Sequence, residues 1–499
     1  MLLVIDIGTS AFKAALVHYD GSGDRFVSLP LEYDLMSEAV PSADPARWLR
    51  AFEEAAGRFG AGSLRVVEAV IISGNGPTLA PVTGTPAVTG GILSLPAAPA
   101  RLWLDRRAEE EARTVSRVMG GFVDSSFFLP KALAVKNREP ELYEKTKWFL
   151  AAPEYLACAL TGEARTVIPS EGFEKWYWND HALEALGLDK EKFPPQIIPG
   201  ELIGTITGAV VARFGFKPAV KVIAGGPDFF ASILGTGAVG PGQACDRSGT
   251  SEGINLCCSR RIDDLRLMCY GHPVKPYWNL SGIVSTTGEA LAWGRELLGM
   301  TGLPYANFLD LAASSPAGAD GLVFLPYLAG ERAPIWDPRA RGVFLGLGLG
   351  TGRRETARAI AEGICFAIRD VITVMEETGV PVEELRVTGK PGESAFLNQL
   401  KADIAGRPVL IPRAVMSAAA KASEKLSGET MSLPAELLGL TALGAAAMGA
   451  YASVEEAVRR LIGIAETFVP NRENKHIYDD AFGTYRETYR ALKPLFNRS

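Results

Sequence analysis

The chain opens with an apolar run, a short polar turn and a second run of mostly apolar residues. Leu2 to Ile7 predicts a buried strand, and Gly8-Thr9-Ser10 predicts a tight turn. Lys13 to Tyr19 predicts a second strand, closed by Asp20-Gly21. We therefore expect a hairpin whose tip carries an acid, Asp6, beside a glycine turn.

The same arrangement returns about half a chain later. Asp246 precedes Gly249-Thr250-Ser251, and an apolar stretch from Ile254 to Cys258 follows. A Gly-Thr-Ser turn alone is common, but an acid beside each copy and the long interval favour a functional repeat. The repeat predicts two lobes with one hairpin in each.

A third apolar run, Val222 to Asp228, predicts a strand that ends in a glycine turn and presents one carboxylate. A helix is predicted next, from Phe229 to Gly235. Open α/β sheets place their chemistry at such strand ends. Asp228 is therefore a candidate catalytic group, with a helix N-cap as the structural alternative.

Length and charge limit the class of protein. A chain of 499 residues predicts two large domains. With 57 acidic against 51 basic residues, it lacks the excess of positive charge that is typical of nucleic-acid-binding proteins. No apolar run reaches about 18 residues and the start has no basic segment, so we expect neither membrane span nor signal peptide. These features predict a cytoplasmic protein with small-molecule partners.

The cysteines and histidines indicate no metal centre. The six cysteines lack C-x-x-C spacing, and we interpret them as reduced and structural. The four histidines are scattered singly, which disfavours a histidine-based metal site.

Phosphate chemistry explains the repeated turns. Glycine lets the backbone approach a phosphate, successive N–H groups bind anions, and hydroxyls donate to phosphate oxygens. Two such hairpins could hold a polyphosphate, with Asp6 binding a Mg²⁺ ion that neutralises it. Lys13 could reach a phosphate or be a solvated strand residue.

Other nucleotide signatures are missing or misplaced. No Walker A motif occurs. The segment from Gly235 to Gly240 fits G-x-G-x-x-G, but the residues before it read as helical and Pro241 follows. A dinucleotide-dependent dehydrogenase is thus the weakest alternative.

Several short motifs follow one another along nearly the whole chain: Asp6-Ile7-Gly8-Thr9-Ser10, Trp103-Leu104-Asp105-Arg106-Arg107, Leu160-Thr161-Gly162-Glu163, Gly225-Gly226-Pro227-Asp228, Gly249-Thr250-Ser251, the runs from Phe324 to Pro334 and from Ala340 to Leu347, and Ala442-Leu443-Gly444-Ala445-Ala446. In order and spacing the chain resembles the FGGY carbohydrate kinases, whose members include xylulokinase, gluconokinase and glycerol kinase.

This resemblance implies an α/β protein with the actin/hexokinase-like ATPase fold, two ribonuclease-H-like lobes around a central cleft. We expect residues 1–243 to form the lobe that binds sugar and phosphate and carries the catalytic aspartate, and residues 244–499 to form the nucleotide-binding lobe. The implied reaction transfers the γ-phosphate of ATP, with Mg²⁺, to a sugar or polyol, a pentulose such as xylulose first. A homodimer is compatible with the family.

The resemblance also implies residue roles. Asp228 is the general base, and Asp6 binds Mg²⁺. Nucleotide and phosphate contacts fall on Gly8, Thr9, Ser10, Lys13, Gly249, Thr250, Ser251, Gly288, Gly389 and Ser394. Substrate contacts fall on Asn75, Gly76, Pro77, Thr78, Trp103, Asp105 and Asp228.

Two segments depart from the family pattern. Asn75-Gly76-Pro77-Thr78 stands where relatives have a Met-His or an Arg-Glu pair. The identity of the sugar therefore cannot be inferred from those relatives. Lys390-Pro391 interrupts the adenine-side glycine motif and removes one backbone donor. Gluconate, tetritol or glycerol kinase therefore remains an alternative, as does a non-phosphorylating nucleotide sensor. A stretch from Arg413 to about Pro434 reads as an insertion.

Overall fold

The computed structural model describes residues 1–31, 42–170, 172–173, 177–414 and 433–496. The chain divides into two compact units: Met1–Gly235 with Ala414–Gly463, and Thr236–Arg413 with Ile464–Ser499. The expected insertion after Arg413 lies almost entirely outside the described residues.

The first unit is built on a mixed sheet with an antiparallel hairpin beside parallel strands. Its strand order is Leu202–Thr205, Lys221–Pro227, Ala69–Gly74, Leu2–Ile7, Ala11–Val17 and Gly23–Pro30. Leu2–Ile7 and Lys221–Pro227 both run parallel to Ala69–Gly74, which lies between them. All residues of Leu2–Ile7 and Ala69–Gly74 are buried, as expected for strands covered on both faces.

Helices and short strand pairs complete this unit. The helices are Ala46–Leu64, Glu109–Met119, Phe128–Arg138, Pro140–Lys145, Ala152–Thr161, Asp180–Ala185, Gly208–Phe214, Asp228–Gly235, Ala435–Ala447 and Val454–Leu461, with a 3₁₀ turn at Lys190–Lys192. The pairs are Ser42–Ala43 with Ala100–Arg101, Ala80–Val82 with Trp148–Leu150, Ala87–Thr89 with Ile92–Ser94, and Thr166–Val167 with Gln196–Ile197.

The second unit repeats the same core. Its sheet order is Met268–Gly271, Trp278–Val284, Glu252–Cys258, Gln243–Ser248, Glu384–Thr388, Val409–Ala414 and Ile462–Phe468. Gln243–Ser248 pairs antiparallel with Glu252–Cys258 and parallel with Glu384–Thr388, as Leu2–Ile7 does with its own neighbours. The predicted duplication of the hairpin, one copy to a unit, is confirmed.

The helices of the second unit are Gly288–Leu297, Tyr305–Ala313, Arg353–Glu377, Ala395–Ala405 and Lys475–Phe496, with 3₁₀ turns at Ala319–Gly321, Lys390–Glu393 and Arg472–Asn474. Val323–Leu325 pairs with Val343–Leu345. All six cysteines are free thiols. Among the residues described here, no helix is long and apolar enough to cross a membrane.

The two compact units differ from the predicted division of the chain in two respects. The described residues of Ala414–Gly463, assigned from sequence to the C-terminal lobe, belong to the first unit, and the first boundary falls after Gly235 rather than residue 243. The helix Ala435–Ala447 belongs to the first unit because it packs closely against the helix Asp228–Gly235. A Cβ at Gly439 would lie 1.9 Å from the Ala231 oxygen. Glycine allows this backbone contact.

The second strand also ends earlier than predicted. It stops at Val17, because His18 begins a turn in which its N–H donates to the Ser22 oxygen at 2.8 Å. Gly21 occupies this turn with φ of 82°, a conformation that favours glycine.

Candidate active site

Three predicted site segments meet at one edge of the first sheet. Asp6, Ser73 and Gly226 lie in register on adjacent parallel strands. Because parallel strands present their carboxyl ends at the same edge, the chain segments that follow them converge there. The first phosphate turn, the Asn75–Thr78 loop and Asp228 are therefore neighbours.

A charged group surrounds Lys13 at this edge. Its Nζ lies 3.7 Å from Asp6 Oδ2 and 3.5 Å from Glu436 Oε2. Burial lowers the pKa of Lys13, but Glu436, Asp6 and the more distant Asp228 outweigh it, so the pKa is raised and the ammonium is retained. Lys13 is thus a partly buried cation among the predicted metal and base residues, rather than a solvated strand residue.

Asp228 is the first residue of the helix Asp228–Gly235 and is half-buried. The two glycines before it are required by close packing. A Cβ at Gly225 would lie 2.4 Å from the Ile72 oxygen, and Gly226 has φ of 78°. This glycine turn places the carboxylate at the end of its strand, as predicted.

The Asn75–Thr78 loop is attached directly to the first phosphate hairpin. The backbone N–H of Asn75 donates to the Ile7 oxygen at 2.8 Å, and its side-chain Nδ2 donates to the same oxygen at 3.0 Å. Thr78 Oγ1 donates to Asn75 Oδ1 at 2.6 Å. Asn75 and Thr78 are buried and shape the loop, which leaves Gly76 and Pro77 as its more exposed residues.

Trp103 and Asp105, the other predicted substrate residues, have different surroundings. Trp103 Nε1 donates to Thr9 Oγ1 at 3.0 Å and so contacts the phosphate turn. Asp105 is buried, and both its oxygens accept from Arg107, at 2.9 Å from Nε and 2.7 Å from Nη2. Burial raises the pKa of Asp105, but these bonds outweigh it and hold the pKa below its usual range.

Lys131 ties the two substrate segments together. Its Nζ donates to the Pro77 oxygen at 2.7 Å and to the Leu102 oxygen at 2.6 Å. The side chain is 2% exposed, and burial lowers its pKa to about 7. A buried amine that serves two backbone carbonyls fixes the distance between the Asn75–Thr78 loop and the segment carrying Trp103 and Asp105.

We predict that Lys131→Met raises the KM for the expected sugar substrate by about tenfold, because two buried carbonyls lose their shared donor. Steady-state kinetics with either substrate varied would show this, with the KM for ATP unchanged. Lys136→Met is the matched control, since Lys136 lies on the same helix and donates to the Leu186 and Gly187 oxygens, away from the loop. Equal effects of both substitutions would contradict the prediction.

The second phosphate turn, Gly249–Ser251, contacts the start of the helix Gly288–Leu297. The N–H groups of Thr287 and Gly288 donate to the Thr250 and Gly249 oxygens at 3.1 and 3.0 Å. A Cβ at Gly288 would lie 2.3 Å from the Gly249 oxygen. Gly288 therefore contacts the predicted phosphate turn Gly249–Ser251 through backbone packing.

The predicted adenine-side segment lies against the same hairpin. Gly389 has φ of 92°, and a Cβ there would lie 1.8 Å from the Ser248 oxygen. Ser394 caps the helix Ala395–Ala405, with its side chain accepting from the Leu397 N–H at 3.3 Å. The structure thus brings Gly249, Gly288 and Gly389 together within the second unit, while the side chain of Ser394 is used as a cap.

Glu331 supports the segment that leads to Gly288. Its Oε1 accepts from the N–H groups of Ser285 and Arg332, each at 2.7 Å. Its Oε2 is buried and makes no hydrogen bond within the described part of the chain. Burial raises the pKa of this carboxyl to about 7.

We predict that Glu331→Gln flattens the dependence of stability on pH. Between about pH 4.5 and 7 the unfolded chain ionises this group while the folded chain keeps the proton, so stability falls as pH rises, by about 3 kcal/mol. Glutamine cannot ionise and can keep both bonds through Oε1. Unfolding temperatures at pH 5 and pH 8 would test this, and equal pH dependence in both proteins would contradict it.

Asp6 fits a Mg²⁺ site of the kind found in kinases. Mg²⁺ binds one or two carboxylates and completes its shell with water and substrate phosphates. Asp6 offers a carboxylate beside the phosphate turn and is 2% exposed. No group of three or more His, Cys, Asp or Glu side chains that could hold a metal ion occurs among the described residues.

Sequence reasoning missed three functional candidates. Glu436 and Lys131 join the first site only through the fold, and neither lies in a motif. The third candidate is Lys401, which donates at 2.7 Å to the buried Asp246, the acid read from sequence beside the second turn. The one signal for Lys401 in the sequence is its position within an otherwise largely apolar helix, where a lysine needs a partner.

Comparison with known proteins agrees with this architecture. Residues 1–235 and 247–420 match the N-terminal and C-terminal domains of the FGGY family of carbohydrate kinases. Xylulose kinase of Staphylococcus epidermidis is 27% identical over 99% of this chain and 97% of its own length. Solved structures of xylulose kinase and gluconate kinase from Lactobacillus acidophilus each cover all of this chain with a TM-score of 0.83, at 24% and 25% identity, and are themselves covered over 100% and 99% of their lengths.

The duplicated core and its paired hairpins define the actin/hexokinase-like class of ATPase fold. Within that class, the chain belongs to the FGGY family of carbohydrate kinases and is a kinase that transfers phosphate to a sugar hydroxyl.

Proposed function

We propose that the protein transfers the γ-phosphate of ATP to a hydroxyl of a pentulose such as xylulose. The observation that carries the proposal is the convergence of Asp6, Asp228 and the Asn75–Thr78 loop at one sheet edge. This arrangement offers a metal ligand, a base and a substrate loop together. The similarity to xylulose kinases over nearly the whole chain supports the pentulose.

In the proposed reaction Asp228 accepts the proton of the attacking hydroxyl. Lys13 lies near it as a retained cation and would help neutralise the transferred phosphate. Thr9 and Ser10 would contact phosphate from one hairpin, and Thr250 and Ser251 from the other. Phosphoryl transfer needs mainly positioning and charge neutralisation.

Mg²⁺, held by Asp6, would supply positive charge against the phosphates when bound. Because ATP is the donor, the proposed place of action is the cytoplasm.

Gluconate is the second candidate. A gluconokinase of Bacillus subtilis is 25% identical over 99% of this chain, and the gluconate kinase structure superposes as well as the xylulose kinase structure. The Asn75–Thr78 loop also lacks the Met-His pair of xylulokinases. The sequence of this loop is therefore compatible with a polyhydroxy substrate other than a pentulose.

An ADP-release assay with ATP and Mg²⁺ tests both candidates. Pentuloses, hexuloses, gluconate and other aldonates, tetritols, pentitols and glycerol would be compared, with Asp228→Asn as the blank. Turnover with a pentulose that depends on Asp228 supports the proposal, and turnover with gluconate alone replaces it. Intact ATP binding without turnover on any compound would favour a nucleotide sensor.

A further inference from the structure

A buried polar cluster lies beneath the second phosphate turn. We call Asp246, Ser248, Glu252 and Lys401 the Lys401 cluster. Asp246 and Ser248 belong to the strand before the turn, Glu252 begins the strand after it, and Lys401 lies on the helix Ala395–Ala405. None of the four is more than 3% exposed.

Lys401 reaches both strands of the hairpin at once. Its Nζ donates to Asp246 Oδ2 at 2.7 Å, to Ser248 Oγ at 2.8 Å, and to Glu252 Oε1. Ser248 Oγ in turn donates to Glu252 Oε1 at 2.6 Å. An ammonium has three N–H donors, so every donor of Lys401 is used within the cluster.

The charges of the cluster balance when one carboxyl keeps its proton. Burial and the charge of Glu252 raise the pKa of Asp246 well above its usual range. Burial also acts to raise the pKa of Glu252, but Lys401 outweighs it and lowers that pKa to about 2. One carboxylate and one ammonium remain, beside a neutral Asp246.

The same helix carries the adenine-side segment. It follows directly on the 3₁₀ turn Lys390–Glu393, and Asn398 Nδ2 donates to the Gly392 oxygen at 2.7 Å. Ser248 is therefore contacted from two directions, by Lys401 from the helix and by Gly389 from the turn before it. Ser248 thus connects the phosphate turn, the adenine-side turn and the helix that carries Lys401.

Stability alone does not account for this cluster. Replacing a buried ionic group with apolar residues of similar volume is often neutral or stabilising. What the ionic cluster adds is a fixed geometry, because three hydrogen bonds from one atom hold three positions of the hairpin.

We propose that Lys401 is a positioning residue for the nucleotide, which fixes the phosphate turn Gly249–Ser251 relative to the adenine-side turn at Gly389–Glu393. The inference rests on the proposed function, in which this hairpin binds the phosphates of ATP. Lys401 lies below the turn and acts through it.

The test measures ATP affinity and stability separately. Titration calorimetry gives the Kd for ATP with Mg²⁺, and thermal unfolding gives the stability of each variant of the full chain. Lys401→Met leaves Glu252 with an unpaired buried charge and is expected to lose both. Lys475→Met is the matched control, expected to keep both, because Lys475 is an exposed lysine of the same unit that pairs with Asp479 on its own helix.

The double variant Lys401→Met/Glu252→Gln decides between positioning and structure. It contains no unpaired charge, so its unfolding temperature should recover towards wild type. We expect its Kd for ATP to stay weaker by about 10- to 100-fold, because the turn has lost its anchor. Recovery of wild-type affinity together with stability would overturn the proposal.

Ser248→Ala keeps the test open if the double variant does not fold. This change removes one bond to Lys401 without altering charge, and we expect weaker ATP binding at near-normal stability. Unchanged binding would overturn the proposal. Wild-type protein that bound no ATP would overturn the proposed function and this inference with it, whereas equal binding by wild type and variants would overturn this inference alone.

Discussion

Asp228→Asn is expected to lower kcat by roughly 10²- to 10⁴-fold, the usual contribution of a positioned base. Asparagine has nearly the same shape but cannot accept the proton of the attacking hydroxyl. The residue begins its helix after a close-packed glycine turn, so the amide should occupy the same place. The ADP-release assay at saturating sugar measures the loss, and calorimetry should show ATP binding largely retained.

A matched substitution controls for the change of charge. Asp180 is also the first residue of a helix in the first unit, and it is exposed and pairs with Lys190 on the surface. Asp180→Asn should leave kcat unchanged, because exposed ion pairs contribute little. Turnover of Asp228→Asn close to that of Asp180→Asn would remove Asp228 from the role of base.

Gly288→Ala is expected to reduce kcat/KM for ATP by about 10- to 100-fold, the effect of displacing a positioned group by about 1 Å. The new methyl would lie 2.3 Å from the Gly249 oxygen and 3.6 Å from the Thr250 nitrogen. Both atoms belong to the backbone of the phosphate turn, which must therefore move. Kinetics with ATP varied at saturating sugar would measure the effect.

Gly302→Ala is the control for this substitution. Gly302 also lies in the second unit, and a Cβ there would meet no atom within 4 Å. We expect wild-type kinetics from it. If Gly288→Ala behaved in the same way, the phosphate turn would not depend on its contact with the helix start.

The local parts of the site were accessible from sequence. Each hairpin is a run of consecutive residues, so alternation of apolar strand and glycine turn revealed both copies and placed Asp6 beside the first. Asp228 was found for the same reason, since strand, glycine turn and helix follow one another without a break. The role of Asp228 as base came from family resemblance, and that of Asp6 as metal ligand from phosphate chemistry and the resemblance together. Both roles stay predictions.

Contacts between distant segments were not accessible. Lys401 lies 155 residues from Asp246, and Glu436 lies 204 residues from Ser232, to which it is hydrogen-bonded at 3.3 Å. The placement of the helices Ala435–Ala447 and Val454–Leu461 in the first unit was missed for the same reason. No periodic pattern links residues so far apart, because the local sequence around each residue is compatible with many different tertiary contacts.

The sequence by itself determined the duplicated hairpin and the strand ends that carry Asp6 and Asp228, because these depend on short-range alternation and turn chemistry. The α/β class came from the family resemblance of its motifs. Only the tertiary structure decided which lysines hold the loops, that Asp105 is bound by Arg107, and that Asp246 is buried beneath its turn. The physical reason is burial, since a charge that is removed from water must be paired, and the packing of the chain decides which partner reaches it.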